Sequence, residues 1–144
     1  MTAPDYSLFL HALATELDVQ AGPEERDALL HSVGHRLSTR LPLPACETTE
    51  DFELECNALL SMMGWGQAAL RLSQEKRNLF LEISHAPRIG SLGSPSGQWF
   101  AAFYAGLFTG WFLQTGEVIT LRLDRDLSSL DKLVFLAAQD GAGA

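Results

Sequence analysis

Cysteine is scarce: Cys46 and Cys56 are the only two in 144 residues, and they form no pair of close pairs of the kind a structural zinc site uses. A disulfide between them is permitted by the count but not implied by it. Positive charge is short as well. Ten Lys and Arg stand against 18 Asp and Glu, for a net charge of −8. The excess is unevenly placed, because Met1 to Cys56 holds 11 acids and 3 bases whereas the remainder is balanced at 7 and 7. Such a surface repels phosphate backbones and anionic lipid, so nucleic acid is excluded as a partner and a neutral or basic one is favoured.

No apolar run reaches the roughly 20 residues needed to cross a bilayer, so membrane insertion is not expected. The start of the chain, MTAPDYSLFLHALATELD, has no basic segment, and Asp5, Glu16 and Asp18 interrupt its apolar residues. It does not read as a signal peptide, which leads to an expectation of a cytoplasmic protein with reduced thiols. At 47% hydrophobic residues the chain is not disordered. Its length suits one domain over residues 1–144.

Catalytic signatures are also missing. His31 and His35 stand at i, i+4, but no glutamate follows the first histidine as a zincin requires, and no third ligand is near. Gly90, Gly93 and Gly97 precede a helix without the spacing or the lysine of a phosphate-binding loop. No serine sits in G-x-S-x-G. Asp51, Glu53 and Glu55 are abundant acids on one helix, not two carboxyls facing each other across a cleft. No catalytic residue, metal site or cofactor is expected.

What the chain does have is Gln98 to Leu113, QWFAAFYAGLFTGWFL, an uncharged stretch with two of the three tryptophans and four of the eight phenylalanines. Read as a helix, it has no polar face and must be buried all round. One face would pack on the chain's own sheet, leaving the other to be covered. Ala102, Gly106 and Gly110 recur at i, i+4, i+8 as a small-residue ridge on which a second helix can lie closely. That helix belongs either to another copy, making these three residues an oligomer interface, or to the same chain. Trp65, Trp99, Trp111 and Tyr104 read as core, and Tyr6 as exposed.

The rest follows in order. Asp5 or Ser7 caps a first helix with the stripe Leu10, Leu13, Ala14, Leu17 and Ala21. Gly22 and Pro23 make a corner, and a second helix turns Leu30, Val33, Gly34, Leu37 and Leu41 inward. After Leu41-Pro-Leu-Pro, Thr48 with Asp51 opens a third helix that buries Phe52, Cys56, Leu59, Leu60 and Met63. Alternation at Leu70 and Leu72, then at Leu79, Leu81 and Ile83, gives a β-hairpin. Ile119, Leu121 and Leu123 give a further strand, and Leu133 to Ala137 the last. The expected fold is α+β: three N-terminal helices, a β-hairpin, a central apolar helix and two C-terminal strands, with the helices on one face of an antiparallel sheet. Residues 1–7 form an arm and 139–144 a frayed tail.

Three strings are long and unusual: PDYSLFLHALATELDVQAG at the start, ALLSMMGWG after the third helix, and GSLGSPSGQWFAAFYAGLFTGWF around the central one. In this order they resemble the D subunit of bacterial cellulose synthase over Pro4 to Phe112. Beyond Leu113 pattern alone supports the reading. The resemblance implies a non-catalytic accessory protein that assembles as a cylindrical octamer, a tetramer of dimers. Its passages hold β-1,4-glucan chains, and it works with the other cellulose synthase subunits to promote crystalline cellulose export. It also implies that Pro4, Asp5, Tyr6 and Ser7 line those passages. A periplasmic guide is the location the resemblance implies, whereas the N-terminal sequence favours the cytoplasmic side of the inner membrane. A small acidic dimeric chaperone of the secretion type, binding a partner polypeptide, fits size and charge but would place sheet between its first and last helices. A small hydrolase is the third alternative.

Overall fold

The structure is a computed structural model that describes residues 6–73, 78–86, 101–129 and 132–139. Three helices and four strands follow in the order α1 (Ser7–Arg40), α2 (Thr49–Met63), β1 (Gln67–Ser73), β2 (Asn78–Ser84), α3 (Ala101–Gln114), β3 (Ile119–Leu123) and β4 (Lys132–Gln139). This is the α+β arrangement expected from the sequence.

The corner expected at Gly22 and Pro23 is there: α1 is two helical arms, the first two helices read from the sequence, that meet at a one-residue kink. Only Gly22 leaves helical geometry, at φ 82° and ψ 166°, a region essentially confined to glycine. Its extended ψ is what a following proline demands. Arg26 clasps the two arms by bonding Asp18 at 2.8 Å across the break and Asp27 at 3.0 Å. The inward stripe is narrower than expected. Ala14, Leu30 and Gly34 are buried, whereas Leu13, Ala21 and Val33 are exposed. Among the described residues α1 packs extensively on one element, α3, and one neighbour covers less of a helix than a sheet does. The N-cap of α1 is neither Asp5 nor Ser7, the two residues expected there. Tyr6 holds the N-cap position with no side-chain cap bond, and the first turn closes from the Leu10 N–H to the Tyr6 carbonyl at 2.9 Å. Ser7 is therefore the first residue of the helix and not part of an arm, while Asp5 lies outside the described residues.

Helix α2 starts as expected, with the Thr48 hydroxyl accepting the Asp51 N–H at 3.0 Å. It buries Phe52, Cys56 and Leu60. Beyond it the sheet is wholly antiparallel in the order β1-β2-β4-β3. Leu81, Ile83, Leu133, Phe135 and Ile119 point inward to the shared core. Phe80, Val134 and Leu136, one residue out of phase, point to the other side of the sheet.

Strand β1 is an edge, and α2 covers it. The Asn57 amide donates to the Ala68 carbonyl at 2.9 Å and its oxygen accepts the Ala68 N–H at 2.7 Å. Four residues earlier on the same helix face, Glu53 accepts the Leu70 N–H at 2.9 Å. Side chains thus satisfy backbone groups that would otherwise invite another strand.

Candidate interaction surface

The central stretch is a helix from Ala101 on; Gln98, Trp99 and Phe100 lie outside the described residues. Ten of its residues are buried, from Ala101 to Phe112. Trp111 and Leu107 have no exposed surface. Phe112 stacks on Phe52 of α2 at 4.5 Å, and Trp65 meets Phe103 edge-on at 5.1 Å. The buried polar tips are satisfied as buried aromatics require: the Tyr104 hydroxyl donates to the Trp65 carbonyl at 2.7 Å and the Trp111 indole N–H to the Leu41 carbonyl at 2.9 Å. Gln114 ties the end of α3 to the chain leaving α1, donating to the Ser38 carbonyl and accepting the Leu43 N–H, each at 2.9 Å.

The small-residue ridge is where α1 and α3 cross. A Cβ placed on Gly106 would collide with the His31 carbonyl, and one on Gly34 with the Phe103 carbonyl. At Gly110 it would strike the Ser38 hydroxyl. Of the two readings of this ridge, the structure therefore displays the contact within one chain. With Gly106 and Gly110 covered by α1, the face of α3 expected to await another copy is already occupied. Ala102 is different, being half-buried beside a cavity of about 620 Å³ between α1, α3 and β3.

Exposed apolar surface collects instead on the far side of α1. Tyr6, Phe9 and Leu13 are 63%, 65% and 41% exposed. At i, i+3, i+7 they share one side of the first arm. Leu8 and Val19 are exposed on the same arm. The sequence stripe of Leu10, Leu13, Ala14, Leu17 and Ala21 identified the inner side only in part: Leu10, Ala14 and Leu17 pack on the core, whereas Leu13 and Ala21 are exposed, and Leu13 belongs to the outer strip.

Groups that carry chemistry elsewhere have structural partners here. Glu53 is held by Leu70. Glu82 bridges Arg71 at 2.5 Å and Lys132 at 2.9 Å across three strands. Burial pushes the Cys56 thiol well above its ordinary value and does the same to the Tyr104 hydroxyl, so both stay protonated. His31 is lowered, first by burial and then by the nearby His35, which fits a neutral imidazole on the α1 side of the crossing. Among the described residues no group of three His, Cys, Asp or Glu is placed to hold a metal ion, and no helix is long and apolar enough to cross a membrane.

A family model for the D subunit of cellulose synthase matches residues 1–136. The chain is 39% identical over 129 residues to a "Cellulose synthase operon protein D" of Komagataeibacter xylinus, covering 89% of this chain and 83% of that protein. A second protein of that name from the same species is 40% identical over the same shares, and one from Komagataeibacter sucrofermentans 39%. Among solved structures, the chain is similar to a trafficking protein particle complex subunit 3 from Naegleria fowleri covalently bound to palmitic acid. That similarity has a TM-score of 0.60 at 13% identity, over 93% of this chain and 95% of the other. A vinyl-4-reductase family protein from Methanocaldococcus jannaschii gives a TM-score of 0.52 at 15% identity, over 96% and 83%. At these identities the likeness is one of fold.

Proposed function

Because the chain belongs to the family of cellulose synthase D subunits, we propose that it serves bacterial cellulose synthesis as a non-catalytic accessory protein. In this proposal eight copies, paired as a tetramer of dimers, guide β-1,4-glucan chains alongside the other synthase subunits and promote ordered export. This role takes the place of the secretion-chaperone alternative, for which the sequence offered only size and charge.

The observation that carries the proposal is the aromatic strip on the first arm of α1. Sugar rings present C–H faces that lie against aromatic rings, and the Tyr6 hydroxyl can reach their hydroxyl groups. A neutral polymer also escapes the repulsion that the acidic N-terminal part imposes on polyanions. Pro4, Asp5, Tyr6 and Ser7 are the passage-lining residues of the proposal, and Phe9 joins them because it shares the exposed side with Tyr6. The engagement of Glu53, Glu82 and Cys56 in structural contacts supports a role without bond chemistry. The cytoplasmic side of the inner membrane is part of the proposal, with the periplasm the alternative that cell fractionation would reveal.

The test is cellulose made by cells carrying Tyr6→Ala with Phe9→Ala. Glucan synthesis should continue while fibre crystallinity, read by X-ray diffraction, falls. Unchanged crystallinity with normal levels of the variant protein would contradict the passage-lining role.

A further inference from the structure

The two edges of the sheet end differently. At β1, Asn57 and Glu53 of α2 take up backbone groups of Ala68 and Leu70. At β3 the ladder itself shows which groups are left over. The Asp124 N–H donates to the Val134 carbonyl at 2.8 Å, one step beyond the register that sets Leu123 opposite Phe135. Bonded and non-bonded pairs alternate along an antiparallel ladder, so Arg122 bonds to Leu136 of β4 while Leu121 and Leu123 turn their N–H and C=O groups away from that strand. None of these four groups has a partner among the described residues.

There is room beside them. Leu121, Arg122 and Leu123 all line the cavity of about 620 Å³ between α1, α3 and β3. Successive strand residues point to opposite faces, so a cavity touched by all three runs along the edge of β3 and not under one face. Ala102 and Ala105 of α3 give it a wall of small side chains, and Arg122 and Arg125, which also line it, are exposed. Neither arginine makes an ion pair among the described residues.

We propose that this edge receives an extended acidic segment of a partner protein as a further strand of the sheet. Open N–H and C=O groups repeating at strand spacing select a polypeptide, because an added strand supplies acceptors and donors at the same spacing. A glucan has hydroxyls but no such ladder. Side-chain alternation then specifies the class of sequence. Residues of the added strand that share the face of Leu121 and Leu123 meet Ala102 and Ala105, which suits small apolar side chains. Those on the other face lie beside Arg122, which suits Asp or Glu. The β3 edge of a second copy is the poorer occupant, since pairing edge to edge would bring Arg122 and Arg125 against the same cations. The inference stands apart from the passage-lining residues, which belong to the N-terminal end of the chain.

The test titrates the full chain with a fluorescein-labelled peptide of about eight residues alternating Val and Glu, read by fluorescence anisotropy and by residue-resolved amide exchange. The peptide should bind and slow exchange at Leu121 and Leu123 about tenfold or more, while Arg122, whose N–H already faces β4, changes little. The same peptide N-methylated throughout keeps its side chains and charge but has no N–H to donate, and it should bind about tenfold more weakly. Arg122→Glu should weaken binding of the unmodified peptide about fivefold. No saturable binding, equal binding of the N-methylated peptide, or an affinity untouched by Arg122→Glu would overturn the proposal. So would Leu121 and Leu123 amides that already exchange as slowly as Arg122 in the free protein, because another segment or a second copy would then hold the edge.

Discussion

Phe103, Phe108 and Phe112 on α3 are 5%, 1% and 5% exposed, whereas Phe9 on the first arm of α1 is 65% exposed. The two helices belong to one chain and lean on each other, yet their aromatic residues end in opposite solvents. The difference lies in the neighbours. Glycines at 34, 106 and 110 let α1 come down onto α3 at backbone distance, while α2 supplies Phe52 and Phe108 and Phe112 close around it. Nothing comparable lies over the outer side of α1 among the described residues. An uncharged aromatic helix is thus no guide to where a protein meets other molecules. An exposed aromatic on an otherwise ordinary amphipathic helix is the better one.

The largest expected effect comes from forcing the two helices apart. Gly106→Leu puts a side chain into the His31 carbonyl and should cost about 3 kcal/mol or more, lowering Tm by about 10 °C in thermal unfolding followed by circular dichroism. An unchanged Tm would mean that α1 does not cover α3. Tyr104→Phe removes the hydroxyl from the Trp65 carbonyl and should cost about 1 to 2 kcal/mol in urea unfolding; a neutral result would say that this end of α3 is wet. Alkali should attack the same interior. The thiol of Cys56 and the hydroxyl of Tyr104 are both held above their ordinary values of 9.0 and 10.0, so the unfolded chain loses these protons first. Stability is then level below pH 9 and declines above it, by about 1 kcal/mol between pH 9 and 10. In Cys56→Ala the decline should begin a unit later, and an unshifted onset would assign it to other groups. The smallest effect is on the arm. Phe9→Ala should change stability by less than about 0.5 kcal/mol, and a larger loss would mean that Phe9 is packed within its own chain.

Local chemistry made much of this fold legible. Gly22 with Pro23, the Thr48 cap, and the alternation at Leu79, Leu81 and Ile83 each act over a few residues, and each stands where the sequence put it. The crossing was half legible. Gly34 and the pair Gly106 and Gly110 were visible as small positions in two helices, but nothing short of the tertiary fold matches one set to the other. The hold of Asn57 and Glu53 on β1 was not legible at all, because it depends on β1 being an edge, and the strand order brings β4 between β2 and β3. The exposed side of α1 was hidden for a related reason: a stripe reading asks which residues go in, and Leu13 and Val33 sit at the margin where one neighbour fails to reach.

Amide hydrogen exchange above and below the concentration at which the assembly dissociates tests the contrast most directly. Residues 101–114 of α3 should exchange slowly and equally in both states, while residues 6–13 of α1, exposed in the single chain, should exchange faster than α3 in both. Exchange in α3 that accelerates on dissociation would mean that the buried helix is covered by another copy and not by α1 of its own chain.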